Sequence, residues 1–339
     1  MPFVFSDSQR VFAMKAMVVK QIGSADVFEC TEYPVPAAKP GHMVIEVKAS
    51  SVNPLDVMLR SSENPWSENR PDILHGDVAG VVHEVGDGVS GFKPGDEVYG
   101  CAGGVAGQNG ALADYMLVDA ELMAKKPESL SMGEAAALPL VSITAWEGLH
   151  DKLKVTKGDR VLIHGATGGV GHIAIQLARH FGATVTATTK PRTLDVAAGL
   201  GADHLINVMD TSVQEYVRQF AGGVGYDKVF DTVVGENIKN SFEAVRFYGD
   251  VAVNLPVEDT FPVLMKSLSL HGVLMLVPLF NGINRSAHGR ILTEVAQLVD
   301  KGVIKPLIDP HSFTIWQVAD AHRHLESRQA VGKIILTMD

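Results

Sequence analysis

The sequence predicts an α/β protein in two parts, a small antiparallel β-barrel followed by a doubly wound parallel sheet. Three observations predict it. The chain has 339 residues, long for a single hydrophobic core, so two domains are expected. Its first third is a run of short strand signals broken by Gly and Pro turns. After about residue 138 strand and helix patterns alternate, which calls for crossover helices on a parallel sheet.

In the first part Met17–Val19, Met43–Ala49, Val78–Val85 and Glu97–Val98 read as strands. Turns such as Lys39-Pro40-Gly41 and Lys93-Pro94-Gly95-Asp96 separate them. In the second part Arg160–His164 is a short apolar strand. Val170–Phe181 then places Ile173, Ala174, Leu177, Ala178 and Phe181 at helical spacing, and Gly182 is its stop. Thr184–Thr188, Lys228–Val233, Asp250–Asn254 and Ser269–Leu276 read as later strands, and Ile291–Val299 as an amphipathic helix. A helix near Trp316–Leu325 and a strand Lys333–Thr337 close the chain and are expected to return to the first part. The expected domains are residues 14–137 with 307–339, and 138–306.

A net charge of −10 with no basic stripe argues against a nucleic-acid partner. No apolar run reaches the roughly 18 residues of a membrane span, so no membrane partner is expected. The N-terminus lacks the charged and apolar regions of a signal peptide, and residues 1–13 read as a loose extension. With only Cys30 and Cys101, a reducing, cytoplasmic setting is expected.

The strongest motif is the turn after Arg160–His164. It reads Ala166-x-Gly168-x-x-Gly171, the dinucleotide pattern with its first glycine replaced. Gly168 lets backbone approach a pyrophosphate, Gly171 lets helix and strand pack closely, and the first helical amides face the phosphates. Thr167, Gly168, Gly169, Val170 and Gly171 are therefore the expected cofactor cradle. The next strand ends in Thr188-Thr189-Lys190-Pro191-Arg192. It carries no acid to hold a ribose 2′-hydroxyl, and two cations that suit a 2′-phosphate. Thr189, Lys190 and Arg192 thus point to NADPH.

Several stretches carry a wider likeness. They are Ala49-Ser50-Ser51-Val52-Asn53-Pro54-Leu55-Asp56, Gly76-Asp77-Val78-Ala79-Gly80, Phe92-Lys93-Pro94-Gly95-Asp96, Ala135-Ala136-Ala137-Leu138-Pro139, Thr144-Ala145-Trp146, the glycine turn and Leu200-Gly201-Ala202-Asp203. With them the chain resembles the medium-chain dehydrogenase/reductase superfamily, in its zinc-free quinone oxidoreductase branch. The resemblance implies a GroES-like catalytic domain, an inserted Rossmann domain and a cofactor in the cleft between them. Where zinc alcohol dehydrogenases of that superfamily place their ligands, this chain has Asn53, Gly76 and Leu140. It also lacks the cysteines of a structural zinc lobe, so no metal is expected. His322 and His324, two apart on a helix, do not share a face. Glu147 and His150 read as a surface pair.

Without zinc to polarise a carbonyl, the acceptor must take hydride readily. The first expectation is a small-molecule quinone; the alternatives are an activated C=C bond, such as an alkenal or enoyl thioester, or a weakly catalytic NADPH-binding protein. The resemblance places Asn53 near the nicotinamide ribose or substrate oxygen and Thr144 at the nicotinamide end, and these are the candidate catalytic residues. Asp56 reads as a helix-start residue, and Cys101 as an inert thiol. Met58 and Val208 stand where some quinone reductases carry tyrosines, and Trp66 and Phe280 are candidate pocket walls. Ser267–Val277 reads as an apolar edge strand through which a C₂ homodimer would pair.

Overall fold

Strands that are buried over most of their length build the first sheet of the computed structural model, which describes residues 13–67 and 69–339. The extension expected over residues 1–13 lies, apart from Ala13, outside the described residues. Strands β1 (Ala13–Val19) and β2 (Phe28–Pro34) form an antiparallel pair. They are followed by β3 (His42–Ser51), α1 (Pro54–Ser61), β4 (Asp77–Val85), β5 (Glu97–Cys101), β6 (Tyr115–Asp119) and β7 (Met123–Lys125). β3 is the hub, pairing antiparallel with β4 and β6, and its Met43, Ile45 and Val47 are buried against Val78 and Val98.

Two helices, α2 (Met132–Ala136) and α3 (Pro139–Trp146), lead into the second sheet. There β8 (Arg160–His164) is followed by α4 (Gly169–His180), β9 (Thr184–Thr189), α5 (Leu194–Ala198), β10 (His204–Asn207) and α6 (Val213–Phe220). The chain then crosses back through β11 (Tyr226–Asp231), α7 (Ile238–Ala244), β12 (Val245–Val253), α8 (Phe261–Met265) and β13 (Ser269–Gly272). All six strands are parallel, in the order β10-β9-β8-β11-β12-β13. Near-continuous burial of Val161, Leu162 and Ile163 is what a strand covered on both faces requires. The order reverses between β8 and β11, and a ligand cleft is expected at the carboxyl ends of those two strands.

The tail contains α9 (Val277–Asn281), α10 (Ser286–Asp300), β14 (Phe313–Thr314), α11 (Val318–Glu326) and β15 (Ile335–Thr337). β15 pairs antiparallel with β3, so the chain's end rejoins the first sheet. We propose 14–137 with 307–339 as one domain and 138–306 as the other, since the two sheets and their connections divide there.

One element differs from its expectation. The long strand read over Ser267–Val277 pairs for only four residues, Ser269–Gly272. Val273, Met275 and Leu276 then turn inward and are buried, so that apolar run serves the cleft wall and not a ladder.

Candidate active site

The glycine turn sits at the β8/β11 switch point. Gly165 has φ +85°, a conformation that suits glycine, and a side chain there would meet the Thr232 hydroxyl at 2.9 Å. A Cβ on Gly171 would lie 2.0 Å from the Gly165 carbonyl oxygen, so α4 can approach β8 only with glycine there. Ala166, in place of the usual first glycine, is buried, and its amide donates to the Thr188 carbonyl at 2.9 Å. Gly168 caps α4 without a side chain, and the amides of Gly169, Val170 and Gly171 find no backbone acceptor among the described residues. These three donors and the helix dipole make an anion cradle.

At the end of β9, the Thr189 and Thr193 hydroxyls are 2.7 Å apart and buried. Lys190 is exposed at the start of a short turn. Arg192 donates to the carbonyls of Arg328 (2.7 Å) and Gln329 (3.0 Å), and so ties the parallel-sheet part to the C-terminal strap. Gly332 anchors the same strap by donating to the Thr167 carbonyl at 3.0 Å.

Opposite the turn lies a buried polar corner. Asp77 at the start of β4 accepts hydrogen bonds from Ser51 Oγ (2.8 Å), the Leu140 amide (2.8 Å) and Asn53 Nδ2 (2.8 Å). Lys333 Nζ lies 2.5 Å from Asn53 Oδ1, 3.1 Å from the Val52 carbonyl and 3.4 Å from Asp77. Both partners of this ion pair are almost wholly buried. Asn53, the N-cap of α1, thus has its oxygen and one amide hydrogen engaged, leaving its second amide hydrogen. Asp56 accepts the Asn53 backbone N–H at 2.7 Å, the expected helix-start role. Burial pushes its carboxyl up to about 7, with Asp77 adding to the rise and the Asn53 amide and Lys333 opposing it.

The three zinc positions are recast here. Asn53 and the Leu140 amide both bond Asp77, and a side chain on Gly76 would meet the Gly103 carbonyl at 2.8 Å and Cys101 Sγ at 3.0 Å. Burial, with the nearby carboxylates, holds the Cys101 thiol well above its ordinary range, which makes it a packing residue.

Between turn and corner runs a cleft of about 390 Å³. Its walls are mostly apolar and include Leu55, Met58, Trp66, Leu140, Met275 and Leu276. Asn53, Thr144, Thr167–Val170 and Lys333 all face it. Thr144 Oγ1 donates to the Leu140 carbonyl at 2.8 Å, so its lone pairs remain free to accept. Asn254 also lines the cleft, and its buried Oδ1 has no partner. That unpaired acceptor, the unengaged amides of α4 and the glycine spacing fit a nicotinamide dinucleotide.

The structure brings Asn53, Thr144 and the glycine turn to one cleft, with Trp66 as a wall. Phe280 is not among the lining residues but packs on the core, and Val208 lines a separate hollow with His164 and Thr211. Sequence reasoning missed Lys333, Asp77 and Asn254. A lysine inside the apolar run Val331-Gly332-Lys333-Ile334-Ile335 was the available signal. His322 and His324 do point apart: His322 Nε2 is 2.9 Å from His75 Nε2, and His324 Nε2 is 3.0 Å from Asp309.

Comparison with known proteins places this geometry. The family description "Alcohol dehydrogenase GroES-like domain" matches residues 39–128, and "Zinc-binding dehydrogenase" matches 200–336. The 2-methylene-furan-3-one reductase of Solanum lycopersicum is 35% identical over 95% of this chain and 79% of its own length. The 2-haloacrylate reductase of a Burkholderia species is 33% identical over 95% of this chain and 98% of its own length. The NADPH-dependent alkenal/one oxidoreductase of Arabidopsis thaliana is 32% identical over 98% and 82%. Among solved structures, an alcohol dehydrogenase superfamily protein from Novosphingobium aromaticivorans superposes with a TM-score of 0.90 at 36% identity, covering 96% of this chain and all of its own. The quinone oxidoreductase of Coxiella burnetii gives 0.83 at 28%, covering 96% and 100%. The fold and site define an NAD(P)H-dependent oxidoreductase. The chain belongs to the medium-chain dehydrogenase/reductase superfamily, in its zinc-free quinone oxidoreductase-like branch.

Proposed function

We propose that the chain transfers hydride from NADPH to a conjugated carbonyl compound, with a small α,β-unsaturated aldehyde, ketone or acid as its substrate class. NADPH, when bound, supplies the hydride. The observation that carries the reading is the composition of the cleft. It is apolar, has Trp66 as its one aromatic among the described lining residues, and ends at the Asn53–Lys333 corner. The names of the tomato, Burkholderia and Arabidopsis relatives support this substrate class over the quinone that sequence reasoning put first. The Coxiella neighbour keeps a quinone as the second reading.

In this reading the α4 amides hold the pyrophosphate, while Thr189, Lys190 and Arg192 favour the 2′-phosphate. Thr144 and Asn254 orient the nicotinamide end. Asn53 donates its remaining amide hydrogen to the acceptor's oxygen, where negative charge develops as hydride arrives. Lys333, fixed behind it, polarises that amide. The apolar walls exclude water from the reacting carbons, and solvent supplies the proton afterwards. The test is NADPH oxidation with alkenals, enones, acrylate-type acids and quinones. Turnover of the open-chain substrates, with kcat/KM at least about tenfold higher for NADPH than for NADH, is expected. Preference for NADH, or activity confined to quinones, would overturn the respective part.

We also propose a C₂ homodimer. Among the described residues β13 pairs on one side only, and exposed Phe247, Tyr248, Phe261, Leu264 and Met265 lie beside it. A monomer at micromolar concentration by light scattering would refute it.

A further inference from the structure

We propose that Asp309, His311 and His324 form a binding site for a divalent transition-metal ion, with Zn²⁺ as the reference ion, beside the strap 328–333 that lines one side of the cleft. Among the described residues, one group of three gathers ligand atoms of this kind within 4.8 Å of one another, and it is this one. It is remote in sequence and kind from the old zinc positions Asn53, Gly76 and Leu140.

Two imidazoles and one carboxylate are the donor set that suits zinc and its first-row neighbours. Asp309 is buried, on the loop before β14. Its Oδ1 lies 2.7 Å from His311 Nδ1 and 3.0 Å from His324 Nε2. A metal bound at about 2.0–2.1 Å by a tetrahedral set separates its ligand atoms by roughly 3.3 Å. The two carboxylate–imidazole distances therefore need to open by only a few tenths of an ångström, and all three ligand atoms already lie within 4.8 Å of one another. With a metal present, the lone pairs of His311 Nδ1 and His324 Nε2 turn to the ion and Asp309 Oδ1 becomes its third ligand.

The surroundings match a metal site. Asp309 Oδ2 accepts the Val331 amide at 2.8 Å, and the His311 amide donates to Oδ1 at 3.0 Å, so backbone fixes the carboxylate. The two imidazole rings lie 4.3 Å apart between centroids, tilted 47° to one another. The His324 side chain is 12% exposed and that of His311 61%, which leaves one side open for entry and for a water ligand. The ion would tie two pieces together, the loop before β14 and helix α11, and the Val331 amide already bonds the strap 331–333 to its Asp309 ligand. The strap carries Gly332 and Lys333 into the cleft, so the metal would fix the corner behind Asn53 without touching substrate.

The test uses the full chain without an affinity tag, stripped with a chelator and titrated with Zn²⁺ against a chromophoric competitor. One equivalent is expected to bind, at least about tenfold more weakly in His311→Ala and His324→Ala. Co²⁺ should give a visible absorption spectrum that the same variants lose. His150→Ala, a second surface histidine beside an aspartate, should bind as wild type does. Because His311 is mostly exposed, His311→Ala should fold even if His324→Ala does not. No binding tighter than millimolar, or undiminished binding in His311→Ala, overturns the site.

Discussion

The two walls of the cleft are built by opposite means. The glycine turn is local: seven successive residues, Gly165–Gly171, supply a positive φ, a close approach and three unengaged amides. The polar corner is assembled from Asn53, Asp77 and Lys333, spread over most of the chain, and it is complete only when the segment carrying Lys333 returns beside β3. The turn offers backbone groups, and its shape depends on glycine at a few fixed positions. The corner binds through a desolvated ion pair and tolerates little.

The largest expected effect breaks the corner. Lys333→Met removes the one cation that faces Asp77 among the described residues and leaves a buried charge, which costs about 3–5 kcal/mol. Urea unfolding should show that loss, and Asp77→Asn added to Lys333→Met should recover much of it. A single variant as stable as wild type would mean that the hydrogen bonds from Ser51, Asn53 and Leu140 suffice. The matching break of the turn is smaller. Gly171→Ala forces a methyl against the Gly165 carbonyl, a local overpacking of about 1–3 kcal/mol. It should weaken NADPH binding, read by fluorescence titration, by more than it lowers stability.

This difference decides what could be read from the sequence. Strand Arg160–His164, the helix after it and the glycine spacing were legible because each depends on neighbours a few residues away. Lys333 was not: a lysine in an apolar run declares that something must satisfy it, but not that Asp77 does. The strand read over Ser267–Val277 failed for a related reason. An apolar run shows burial, and only the fold shows that Val273, Met275 and Leu276 are buried in a cleft wall instead of a ladder. Arg192 was singled out for its charge, and its bonds to Arg328 and Gln329 could not be foreseen.

A proton sharpens the comparison further. Asp56 beside the corner has its carboxyl raised to about 7 in the fold against 3.8 unfolded. The folded state therefore binds a proton more tightly than the unfolded one. The resulting stability is fully present below about pH 4 and is lost as pH rises through 7. Asp56→Asn cannot lose it, so the stability of wild type relative to this variant should fall by on the order of 2 kcal/mol between pH 5 and 7. A pH-independent difference would show that Asp56 is ionised throughout. His172 and His322, held near 4 and 3 mainly by burial, act in the other direction, losing stability as pH falls below 6.5, and do so equally in both proteins.

The smallest effect concerns Thr144, where the two walls meet. Its hydroxyl hydrogen is engaged by the Leu140 carbonyl, and its lone pairs face the cleft. If it accepts a hydrogen bond from the nicotinamide end, Thr144→Val removes that acceptor while filling the same volume. The helix loses one side-chain bond to a carbonyl that α3 already engages, so stability should change by no more than about 1 kcal/mol. Catalysis should lose roughly tenfold in kcat/KM, about 1.4 kcal/mol of transition-state binding. Thr144→Ser, which keeps the oxygen, should restore most of it. An equal loss in both variants would mean that the methyl group packs the cleft and the oxygen is idle.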